Sequence, residues 1–121
     1  YGASNGLGVS AGNGTVQTEF VPGTSATSLT AVNKWYFVAG AFNTGQLTLY
    51  INGAAVGSTN TSVTSIVNTT GPLTIGNHDA NGGEYFPGSI DNVRIYTNAL
   101  NASQIHSLYL AEAPAHGIAV R

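Results

Sequence analysis

The chain has 121 residues, the size of one ordinary domain, and 42% of them are hydrophobic, enough to build a buried core. Only 7% are charged and the net charge is −2; Lys34, Arg94 and Arg121 are scattered, which excludes a binder that neutralises nucleic-acid phosphates with clustered cations. Cysteine is absent, which excludes disulfides, zinc-thiolate sites and thiol chemistry, and no apolar run is long enough for a membrane-inserted helix.

Gly, Ser, Thr and Asn, at 16, 10, 14 and 12 residues, stand where charges usually would. With no methionine, Tyr1 is not an initiator, and the chain is expected to be trimmed or a piece of something longer. The polar, charge-poor composition leans towards an extracellular or cell-surface protein.

In chain order, residues 1–14 are Gly-, Ser- and Asn-rich, with Leu7 and Val9 marking a short strand. Residues 15–21 alternate, placing Val16, Thr18 and Phe20 on one face. Residues 22–28 read as a loop. Residues 35–42 are apolar at nearly every position, which predicts a strand buried on both faces. Asn43-Thr44-Gly45 is a turn. In residues 46–51, Leu47, Leu49 and Ile51 share one face, and Gln46, Thr48 and Tyr50 the other. Of the aromatics Trp35, Phe37, Phe42, Tyr50 and Phe86, all are expected in the core except Tyr50. Asn52-Gly53 between two strand-like runs is a strong hairpin signal, because both residues tolerate positive φ.

Residues 59–70 are polar and β-branched, with Val63 and Ile66 as anchors, and suit a contact surface between subunits. Leu73-Thr74-Ile75-Gly76 predicts a short strand. Residues 77–83 predict a loop. Residues 89–97 predict a second strong strand through Ile90, Val93, Ile95 and Tyr96, with a bulge near Asn92. A helix is predicted over residues 102–111: Asn101 is the N-cap, Gln104 completes a capping box, and Ile105, Leu108 and Tyr109 share a face. Leu100 would staple onto it, and Pro114 ends it. Short strands, frequent turns and one terminal helix mean an all-β chain, an antiparallel β-sandwich.

Three blocks, in this order, carry a family resemblance. "KWYFVAGAFNTGQLTLYINGAAVGS" (residues 34–58) resembles the strand–hairpin segment of laminin-G-like domains. "GPLTIGN" (residues 71–77) is similar to that family's short strand ending in Ile-Gly. "YFPGSIDNVRIYTNALNASQIHSLY" (residues 85–109) resembles its C-terminal signature. The resemblance implies a concanavalin A-like jelly roll of two curved antiparallel sheets with one short C-terminal helix. The domain is expected over residues 1–111, pared down at its N-terminal strands, with 112–121 as a tail or linker. Missing edge strands would leave unpaired N–H and C=O groups, so a strand-completing partner chain or a homo-oligomer is expected.

The loop Asn77-His78-Asp79-Ala80-Asn81-Gly82-Gly83-Glu84-Tyr85 is the candidate ligand site, through Asn77, His78, Asp79, Asn81, Glu84 and Tyr85. Amides and carboxylates bond sugar hydroxyls, and an aromatic face packs on a ring's C–H surface; a solvated turn-rich loop is the alternative. A calcium ion could also join there through Asp79 and Glu84. Asp91 is the candidate metal ligand. In related laminarinase-type sandwiches the aspartate of a similar Asp-x-Val-Arg-x-Tyr strand ligates structural calcium; the alternatives are a bond to nearby backbone or a pairing with Arg94. His78, His106 and His116 have no metal-site spacing. No Gly-x-Ser-x-Gly elbow and no convincing carboxylate pair occurs, so no enzyme is expected. The four Asn-x-Ser/Thr sequons, at Asn13, Asn60, Asn68 and Asn101, are what frequent Asn and Thr produce by chance.

Three functions follow as expectations. The first is a non-catalytic extracellular binding or adhesion module recognising a glycan or a protein, with calcium as a structural ion. The second is a structural subunit of a surface layer, filament or matrix, assembled through exposed sheet edges. The third is an appendage of a larger secreted enzyme.

Overall fold

The computed structural model describes residues 7–23, 33–68, 70–78 and 84–112, and among these, apolar segments separated by Asn and Gly turns fold into seven short antiparallel strands and one helix. The predicted all-β class holds. The chain divides into two compact units, one of residues 1–67 with 98–121, the other of residues 68–97.

In the first unit, β1 (Val9–Gly12) pairs with β2 (Gln17–Phe20). Asn13 shapes the turn between them: its Oδ1 accepts from the backbone N–H of Thr15 (3.0 Å) and Val16 (2.8 Å). A three-stranded sheet follows, ordered β3 (Val38–Asn43), β4 (Gln46–Ile51), β5 (Ala54–Asn60). The β4–β5 turn has Asn52 at φ 51° and Gly53 at φ 77°, the left-handed pair that matches strand twist. Asn52 also grips the approach to β3, donating its N–H to the Phe37 carbonyl (2.8 Å) and accepting the Phe37 N–H on Oδ1 (3.2 Å).

The hairpin β1–β2 lies on this sheet as a second layer. Gly40 and Gly57 flank Leu49 in the register. A Cβ on Gly40 would come within 2.7 Å of Val9, and one on Gly57 within 2.8 Å of Phe20. The missing side chains therefore leave the seats for Val9 and Phe20 of the hairpin. Thr18 and Thr61 join hydroxyl to hydroxyl at 2.6 Å. Leu47, Leu49 and Val63 are buried, each worth about 1.5–3 kcal/mol.

The helix, α1, spans Ala102–Glu112. The predicted capping box is present: Gln104 N–H donates to Asn101 Oδ1 and Asn101 N–H to Gln104 Oε1, both 2.9 Å. Ile105 is buried and Leu108 and Tyr109 half-buried, as the helical spacing predicts. Tyr109 meets Phe37 edge-on at 6.0 Å. The segment beyond Glu112, with Pro114, lies outside the described residues.

Several expectations need correction. Tyr50 is buried, 7% exposed, on the central strand β4 between Ala39 of β3 and Ala55 of β5, while Gln46 on the same face stays exposed. Trp35 precedes β3 and is 47% exposed; Ile66 is exposed as well. In the second unit, residues 73–76 and 89–97 are not strands, and Leu73, Ile75, Ile90, Val93, Ile95 and Tyr96 are exposed. Asn92 takes φ 51°, which interrupts an extended run, and Asp91 turns its carboxylate onto the Asn92 N–H.

Candidate binding site

The second unit is organised around one ribbon, β6 (Asn77–His78) paired with β7 (Glu84–Tyr85). Asn77 stands opposite Tyr85 and His78 opposite Glu84, so four of the six sequence-predicted ligand residues are brought into register. Asp79 and Asn81 lie outside the described residues. Gly76 sets the base of the ribbon. At φ 75° it takes a conformation that L side chains resist, and its carbonyl accepts the Phe86 N–H at 2.8 Å.

Directly opposed residues of an antiparallel pair project to one face, so Asn77 and Tyr85 share a surface. Tyr85 is 68% exposed, an aromatic ring offered to solvent. Asn77 is half-buried, and its Oδ1 is buried without a donor. An acceptor left in that state costs about 1–3 kcal/mol. Phe86, read from sequence as a core residue, is 50% exposed. The signal for it was its place between Tyr85 and Pro87, at the end of a loop rather than inside a strand.

Asp91 is exposed, and its Oδ1 accepts the Asn92 N–H at 2.7 Å, the local backbone bond that sequence reading held open as an alternative to a metal. Among the described residues no three His, Cys, Asp or Glu side chains converge. A calcium ion at Asp91 would therefore draw most of its six to eight oxygens from backbone carbonyls and water. His106 is exposed on α1 and stands 6.2 Å, ring to ring, from Tyr109. A shallow pocket of about 220 Å³ in the first unit, lined by Gly12, Gly14, Thr15, Val16 and Gln17, includes none of the candidate residues. Among the described residues no helix is long and apolar enough to cross a membrane.

Known proteins resemble this chain in sequence and in shape. It is 34% identical over 79 residues to an adhesion G-protein coupled receptor V1 of Danio rerio, a match covering 64% of this chain and 1% of the receptor. A crystal structure from an S-layer domain-containing protein of Clostridium thermocellum superimposes with a TM-score of 0.57 at 31% identity, covering 77% of this chain and 45% of that one. The chain thus spans under half the length of either relative. Residues 1–106 match the model of a laminin G family described as the concanavalin A-like lectin/glucanases superfamily, and the chain belongs to that family.

Proposed function

We propose that this chain is a non-catalytic, extracellular or cell-surface binding module that recognises a glycan through the ribbon over residues 77–85. The observation that carries the reading is the pairing of Asn77 with Tyr85: an amide and an exposed aromatic ring on one face. An aromatic face packs on the C–H surface of a sugar ring, and an amide bonds its hydroxyls. Membership of a lectin/glucanase superfamily and likeness to an adhesion receptor support the same reading. Calcium belongs to the proposal as a clamp at Asp91, outside the sugar contact itself.

The test is a glycan array probed with the 121-residue chain, with calcium and with chelator. Binding to at least one glycan is expected, lost on Tyr85→Ala with the melting temperature unchanged. Binding that survives Tyr85→Ala moves the site elsewhere, and chelation that alters neither binding nor melting removes calcium.

A second reading is a structural subunit of a surface layer. The S-layer relative favours it, as do the outer strands β3 and β5, which carry no charged residue to discourage pairing with another chain.

A further inference from the structure

We infer that the chain associates with a second copy of itself through the outer edge of β3, the two β3 strands pairing antiparallel about a twofold axis. This goes beyond the glycan reading and does not depend on it. The first ground is the direction of the backbone groups. The Asn52 N–H donates to the Phe37 carbonyl, so the backbone of Phe37 points at β4. Direction alternates along a paired strand. Ala39, Ala41 and Asn43, opposite Tyr50, Thr48 and Gln46, therefore point inward as well, and Val38, Gly40 and Phe42 aim their N–H and C=O groups away from the sheet. Among the described residues no strand lies on that side.

The two outer strands of the sheet are guarded unequally. A register shift at Leu49/Tyr50 interrupts the ladder of β5, and α1 packs on that strand. An irregular ladder and a covering helix are both devices that blunt an edge. β3 has neither. Its ladder with β4 runs unbroken from Val38 to Asn43, without a proline or a charged residue, and Val38 is 46% exposed. A regular, uncharged, apolar edge is a template for one more strand.

The edge is also complementary to itself. With Gly40 opposite the partner's Gly40, Val38 stands opposite the partner's Phe42, and Phe42 opposite the partner's Val38. These are the residues whose backbone groups point outward, so every N–H on the seam meets a C=O. The Cβ position of Gly40 faces Val9, which places Val38 and Phe42, two residues to either side, on the hairpin face of the sheet. Val9 is half-buried over Gly40, and the twofold axis brings it beside the partner's Val9, so the seam is apolar on that face. Charge does not oppose the pairing. Lys34, the charged residue nearest to β3 along the chain, precedes the strand, and the antiparallel arrangement sends the two lysines to opposite ends of the seam. A pairing of one patch with itself closes, so association through this edge stops at two copies.

The chain has no cysteine, which gives a clean background for cross-linking. Val38→Cys and Phe42→Cys are made as separate variants and oxidised alone and as an equal mixture. Across the paired edge, residues 38 and 42 of different copies have Cα atoms about 5.5 Å apart, within disulfide reach. Two copies of residue 38, or two of residue 42, are about 13 Å apart along the strand, beyond it. The expected result is a covalent dimer in the mixture and none in either variant alone. In sedimentation velocity the unaltered chain is expected to reach twice its 12.3 kDa mass, and Val38→Lys to weaken that dimer at least about tenfold with an unchanged circular dichroism spectrum. Val38 is exposed, so Val38→Lys reports on association even if Phe42→Cys perturbs the fold. A monomer at every concentration, a cross-link in Val38→Cys alone, or association indifferent to Val38→Lys overturns the inference. The last result would move the contact to the exposed apolar residues of the second unit. None of these outcomes bears on the glycan reading, which the array decides.

Discussion

Gly53 joins two constraints at one backbone position. Its φ of 77° is the left-handed conformation required by the β4–β5 turn, and an added Cβ would fall 2.8 Å from Tyr109 Cδ1 and 2.9 Å from its Cβ. Gly53→Ala therefore has to strain the turn and displace the ring that touches Phe37. We expect a loss of about 2–5 kcal/mol, from about 1–2 for the backbone and 1–3 for overpacking. Chemical denaturation read by circular dichroism measures it. Gly23→Ala is the control, since nothing lies within 4 Å of a Cβ there, and an unchanged midpoint is expected. A similar midpoint for both variants would show that the turn does not need its glycine. The local half of this was legible in the sequence, because Asn-Gly between two strands specifies positive φ by itself. The contact with Tyr109 was not, because it joins residues 56 positions apart, and no local pattern encodes that. The same division holds at the candidate site. Asn77 and Tyr85 could be chosen by residue type, but the unmade bond at Asn77 Oδ1 is a fact of packing.

Among the elements, those with internal logic were the readable ones. The helix carries its start signal in Asn101 and Gln104 and its buried stripe in Ile105, Leu108 and Tyr109, all within nine residues. Asn101→Ala removes one half of the reciprocal cap and is expected to cost about 1 kcal/mol, lowering the thermal midpoint by a few degrees. Asn101→Asp should retain most of the stability, since its oxygen still accepts the Gln104 N–H. Equal losses in the two variants would mean that the cap contributes nothing. β4 was readable for a related reason: a central strand shows its period of two in Leu47 and Leu49. Residues 89–97 have a strand's composition without a strand's conformation. Composition reports what a segment prefers, whereas a ladder needs a partner, and Asn92 at φ 51° bends the chain where the ladder would run.

The molecule as a whole distributes apolar surface unevenly. Ala11, Leu47, Leu49, Tyr50, Val63 and Ile105, the buried apolar residues among those described, all belong to the first unit. In the second unit Leu73, Ile75, Ile90, Val93, Ile95 and Tyr96 remain exposed. Exposed apolar surface of this kind favours association. Sedimentation velocity over a wide concentration range decides between the two functional readings. A single 12.3 kDa species throughout removes the structural subunit, and a ladder of larger species at rising concentration makes it the leading one.

The first unit is also discontinuous in sequence, closed by a helix that follows the second unit along the chain. This has a consequence for biosynthesis. Phe37 leaves the ribosome 72 residues ahead of Tyr109, about 4–14 s earlier at ordinary translation rates. The hairpins β1–β2 and β3–β4–β5 are local and can form in that interval, but they wait, uncapped, while residues 68–97 are made. Assembly of the first unit is therefore timed by the length of a segment that belongs to the other, and lengthening residues 68–97 would prolong the nascent chain's exposure to chaperones and proteases while leaving the sequence of the first unit unchanged.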